Sequence, residues 1–161
     1  MKHRLALALL CALAAAPAVQ GQQAPIWGGY YNDGVYGAGG GSETDGQISL
    51  QCSGPNLADA GTFFLQLTPA ARIEPFVNAP PQLDFVIDGE VMTLPVTAEN
   101  GAVFFHRAEP ADDDAVLDLI GALRRGLTLI VSAPELDIAE ISLRGSSRAL
   151  AEVARCVEDY D

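Results

Sequence analysis

A chain of 161 residues holds one ordinary domain, and its 21 acidic against 9 basic side chains give a net charge of −12 at pH 7. That field repels phosphate backbones and anionic lipid surfaces, so nucleic acid is excluded as a partner and a basic protein is favoured. No Cys-x-x-Cys pair and no cluster of histidines occurs, so neither redox nor metal chemistry is indicated, and no cofactor is expected.

The chain opens with the order of a secretory signal. Met1-Lys2-His3-Arg4 is basic, Leu5 to Ala16 is apolar, and Ala14-Ala15-Ala16-Pro17-Ala18 supplies small residues for the peptidase. Residues 1–21 are read as the signal peptide, cut after Ala18 or after Gly21. The apolar run falls short of the roughly 20 residues that span a bilayer, so no stable membrane insertion is expected after cleavage. Cys11 lies inside the signal, and Leu10 stands where a lipoprotein anchor needs a small residue. The product is placed in the periplasm or outside the cell. With Lys2 and Arg4 removed, seven arginines face 21 acidic residues, a net charge of −14.

Residues 22–46 hold the only Trp and three of the four Tyr among many glycines. Glycine at this density is entropically costly to order, and neither a period of 2 nor one of 3.6 persists. The stretch reads as a flexible leader, with Trp27, Tyr30, Tyr31 and Tyr36 as anchors for a partner. A single domain is expected over 47–161.

Within that domain, Ile48, Leu50 and Cys52 alternate with polar residues, the pattern of a strand with one buried face. Ser53-Gly54-Pro55-Asn56 ends it, and Thr62 to Leu67 forms a second strand. Four prolines make 69–81 irregular. Leu83, Phe85 and Ile87 alternate up to Asp88-Gly89; Met92, Leu94 and Val96 alternate up to Asn100-Gly101; Val103 and Phe105 follow. Both dipeptides suit two-residue hairpins, which predicts an antiparallel meander with strands over 83–87, 90–98 and 102–107.

Asp112-Asp113-Asp114 caps a helix carrying Val116, Leu117, Ile120 and Leu123 on one stripe. Arg124-Arg125 complement its C-terminus, and Gly126 takes the C′ position. A strand over 127–131, a turn at Pro134-Glu135 and a return over 138–143 lead to Gly145-Ser146-Ser147, where a serine N-caps a last helix. Ala149, Leu150, Val153, Cys156 and Val157 share one face of that helix. Cys156 and Cys52 therefore both point inward, and an even count in an oxidising compartment makes them a disulfide. Closing a loop of that length is worth about 4–5 kcal/mol by chain entropy.

The fold class is α+β: an antiparallel β-meander sheet with two α-helices packed on it, the alternative being a β-sandwich with peripheral helices. No catalytic constellation stands out. His106 beside Arg107 is an edge histidine, and Ser132, Ser142, Ser146 and Ser147 lack a nucleophile elbow. Asp84, Asp88 and Glu90 share strand positions but are three of many carboxylates. Arg144, Arg148 and Arg155 form the basic remainder near the last helix, Arg148 and Arg155 on one face; they are read as pairing with Glu152 and other carboxylates, the alternative being a local anion patch.

The stretch Leu83-Asp84-Phe85-Val86-Ile87-Asp88-Gly89, the helix ending Leu123-Arg124-Arg125-Gly126-Leu127, and Ser142-Leu143-Arg144-Gly145-Ser146-Ser147-Arg148-Ala149-Leu150 carry a resemblance. Over about 83–156 the chain is similar to small exported bacterial proteins of the invasion-associated locus B type, and to periplasmic accessory proteins associated with type VI secretion. It departs from them in having no cysteine pair near the second hairpin. The resemblance implies a periplasmic β-rich accessory domain and supplies no catalytic residues. The expected function is a non-enzymatic interaction module. The alternatives are an acidic inhibitor of a basic hydrolase such as lysozyme, and a small hydrolase using His106.

Overall fold

The computed structural model describes residues 27–74, 82–106 and 113–160. Residues 1–21, read above as a signal peptide, with Cys11, residues 22–26, the stretch 75–81, Arg107 and the Asp112 cap lie outside the described residues.

The chain is α+β, built from two antiparallel sheets and three helices. In chain order the elements are β1 (Gly28–Asn32), β2 (Val35–Ser42), β3 (Gly46–Ser53), β4 (Phe63–Thr68), β5 (Gln82–Ile87), β6 (Glu90–Pro95), β7 (Thr97–Glu99), β8 (Ala102–His106), α1 (Asp113–Arg125), β9 (Thr128–Ala133), β10 (Leu136–Ser142), α2 (Ser146–Ala149) and α3 (Ala151–Glu158). Sheet A runs β1-β2-β3-β4-β8-β7, and its first four strands form a meander; sheet B runs β10-β9-β5-β6.

The first correction concerns the glycine-tyrosine stretch. It is not a flexible leader over its described part: 28–42 supplies the first two strands of sheet A, and the domain includes residue 27. Three local causes make this glycine-rich segment fold. Asp33-Gly34 turns with φ of 47° and 90°, the same left-handed pair seen at Asp88-Gly89 and Asn100-Gly101. Ala38 is fully buried opposite Leu50 of β3, so one face of β2 joins the core. Aromatic rings then cover the glycines: a Cβ at Gly37 would fall inside the Tyr30 ring, and one at Gly40 inside the Trp27 indole.

The second correction concerns the strand expected over 90–98. It divides at Val96, β6 pairing with β5 in sheet B and β7 with β8 in sheet A. Pro95 has no N–H to extend the ladder and closes β6, which is an edge strand where proline is tolerated. Leu94 and Val96 are both buried, and the chain crosses from one sheet to the other between them.

The inner faces of both sheets and the helices share one apolar core, including Leu50, Leu65, Phe85, Ile120, Val131, Ile138 and Val153. Where the sheets approach most closely, a Cβ at Gly46 would strike Ala139, and Gly46 also has φ 96°. The free edge of β10 is sealed by sheet A: Glu140 N–H donates to Asp45 O (2.8 Å), and Ala70 N–H to Ile138 O (2.9 Å).

Two caps differ from expectation. The last helix breaks at Leu150 into α2 and α3, and its N-cap is Gly145 at φ 92°, not a serine. Ser146 is buried and donates its hydroxyl to Leu123 O at 2.6 Å, satisfying one of the carbonyls that α1 leaves open at its C-terminus. Gly126 follows α1 without a positive φ; it is needed because a Cβ there would meet Ile87 and Leu143. The disulfide joins Cys52 of β3 to Cys156 of α3, with Cα atoms 6.1 Å apart and a sequence separation of 104.

Candidate binding cleft

The four aromatic residues singled out in the sequence converge. Trp27, Tyr30, Tyr31 and Tyr36 line one cleft between the β1–β2 hairpin and the α2–α3 segment. The hairpin register decides which side each occupies. Tyr31 stands opposite Tyr36 on the core side of sheet A, their ring centroids 4.8 Å apart. Tyr30 stands opposite Gly37 on the other side and lies over it.

Trp27 has a different role from the one expected of it. It is only 4% exposed, and its Nε1 donates to Ser142 O at 2.9 Å, so it fastens β1 to the end of β10. It is an anchor for the protein's own core that also forms the cleft floor. Tyr30 at 46% and Tyr31 at 60% exposure are the rings available to a partner.

Arg148, Ala149 and Glu152 make the opposite wall. Gly29 packs against the Ala149 carbonyl so closely that a Cβ would have to displace it. Glu152 pairs with Arg155 at 3.1 Å, both side chains being more than half exposed, and such pairs contribute under about 1 kcal/mol. The Arg148 side chain has no ionic or hydrogen-bond partner among the described residues. The cleft volume is about 520 Å³, enough for one or two inserted side chains.

The other candidates are dispersed. His106 ends β8 on the solvent side of sheet A, its ring 4.7 Å from Phe64. The serines weighed as its partners sit on β9, β10 and α2, none of which pairs with β8. Ser132 donates to Asp137 at 2.6 Å, and Ser146 is committed to Leu123. Asp84 accepts from Thr93 at 2.6 Å. Asp88 accepts from the N–H groups of Leu127 and Thr128 at 2.9 and 3.1 Å, clamping the α1–β9 junction to the β5–β6 turn. Among the described residues no group of three or more His, Cys, Asp or Glu is placed to hold a metal ion.

Sequence reasoning missed Arg148 and Glu152 as cleft residues, because nothing local says that α2 packs on β1. The chain matches no protein-family model, no curated protein and no solved structure.

Proposed function

We propose that this is an exported, non-enzymatic interaction module that grips a protein partner through the tyrosine cleft. The observation that carries the reading is two half-exposed tyrosines, Tyr30 over Gly37 and Tyr31 against Tyr36, beside an Arg148 side chain with no partner among the described residues. Tyrosine, tryptophan and arginine dominate interface hot spots, because they bury large area at low entropic cost or form several bonds at once. A cleft built before the partner arrives also spares the ordering cost that a disordered leader would incur.

Export to the periplasm or beyond is part of the same proposal. The signal-like N-terminus supports it, as does the disulfide, which belongs to an oxidising compartment. Among the described residues no helix is long and apolar enough to cross a membrane. The acidic field accelerates encounter with a basic partner. The resemblance of 83–156 to periplasmic accessory proteins belongs to this reading too.

The test is photo-cross-linking of the intact protein in its native compartment with the probe at Tyr31, followed by affinity measurement against the captured protein. Tyr31→Ala and Arg148→Ala should each weaken binding by about tenfold or more, and His106→Ala should leave it unchanged. Equal affinity for all three variants would sink the proposal. If the captured protein is a basic hydrolase that loses activity on binding, the inhibitor alternative is the correct form of the reading.

A further inference from the structure

On its solvent-facing side, beyond Tyr30 and Gly37, sheet A presents a second surface whose residues do not line the tyrosine cleft. Strand alternation places Gly39 and Gly41 of β2, Gln47 and Ser49 of β3, and Gln66 and Thr68 of β4 on it. They form a shallow hollow of about 350 Å³. A second hollow of about 470 Å³ shares Gln47, Gln66 and Thr68 and continues to the Asn100-Gly101 turn. The two make one trough across β2, β3, β4 and the start of β8.

Its chemistry contrasts with the rest of the molecule. In a chain of net charge −12, Glu43 is the only charged residue lining either hollow among the described residues, and it sits at one end. The side chains of Gln47, Ser49, Gln66 and Thr68 make no hydrogen bond to any described residue. Gln66 lies opposite Phe104 in the ladder, and Phe104 and Phe64 are neighbours at 5.5 Å between ring centroids, half-buried on the same side.

We infer that this trough binds a neutral polyhydroxylated chain, an uncharged oligosaccharide. Each primary amide presents a donor and an acceptor side by side, matching hydroxyl groups that both give and accept. Phe64 and Phe104 line neither hollow but adjoin the trough beside Gln66, where an apolar sugar face extending past it would meet them. An anionic ligand finds no counter-charge among the described lining residues, a cation finds only Glu43 at one end, and polyanions are repelled by the surrounding field. From β2 to β8 are three strand spacings, roughly 14 Å, the span of a short chain rather than one small molecule. A peptide strand would need backbone groups at a sheet edge, which this face does not present. The inference is independent of the tyrosine cleft.

The test titrates the intact, isotope-labelled protein with maltohexaose, cellohexaose and chitohexaose and follows amide shifts. At least one of them should move the side-chain amides of Gln47 and Gln66 together with the backbone amides of Gly39 and Gly41. Gln66→Ala and Ser49→Ala should each weaken that binding by about tenfold, and Tyr31→Ala should leave it intact. The inference is overturned if all three sugars leave this face unmoved, or if a heparin hexasaccharide binds it more tightly. It is equally overturned if the face responds only to protein concentration, which would make it a contact between copies.

Discussion

Ser146 shows how one hydroxyl ties the helices together. It is buried and donates to Leu123 O at 2.6 Å, while its own backbone N–H is held by Leu143 O at 3.0 Å. Ser146→Ala keeps the helix and removes the partner of a buried carbonyl, which should cost about 1–2 kcal/mol, measured as a lower midpoint in urea at unchanged slope. No change would mean that the Leu123 carbonyl finds another donor. The serine was legible as a helix-start residue, but its role was not, because the carbonyl it satisfies is 23 residues away in sequence. Asp88 is similar. Asp88-Gly89 announced the turn, yet its carboxylate also clamps Leu127 and Thr128, 39 and 40 residues on. Turn chemistry is local and readable; the second use of a turn side chain depends on what packs beside it.

At the scale of elements, the sequence was most legible where alternation had a turn signal at each end. β3, β4, β5, β8, α1 and the β9–β10 hairpin fall close to the expected positions. The β1–β2 hairpin carried the same signal, Asp33-Gly34 between Tyr30-Tyr31 and Val35-Tyr36, but its glycines hid the alternation. Hydrophobic period measures side chains, and here the buried face of β2 is Ala38 plus the bare backbone of Gly40 under Trp27. The division of 90–98 between two sheets was invisible for the opposite reason. Leu94 and Val96 keep perfect alternation because both face the core that the sheets share. The consequence for the hairpin is direct. A chain beginning at Gln47 would lose β1, β2 and the cover over Leu50 and Val153, so it should lose its cooperative thermal transition and bind hydrophobic dye. A cooperative transition at the intact protein's temperature would show that the hairpin is an appendage.

Across the whole molecule, the disulfide joins the first buried strand of the sequence-predicted domain to its last helix, across a sequence separation of 104. Replacing both cysteines with alanine should cost about 2–5 kcal/mol, seen as a shift in guanidinium midpoint while the fold survives in buffer. The inward direction of both cysteines could be read from periodicity alone. The cleft could be read only in part: its aromatic wall lies in one stretch of chain, and its second wall comes from α2 and α3, more than 100 residues later. Fold and site depend on the same feature, the ordering of the glycine-tyrosine hairpin into sheet A. Backbone amide hydrogen exchange across Val35–Ser42 tests that most directly. β2 lies between β1 and β3 in the ladder, so its amides should be protected to the same free energy as those of β3, the level of global unfolding. Exchange at the rate of an unstructured chain, with β3 still protected, would contradict the account and return residues 28–42 to a tether.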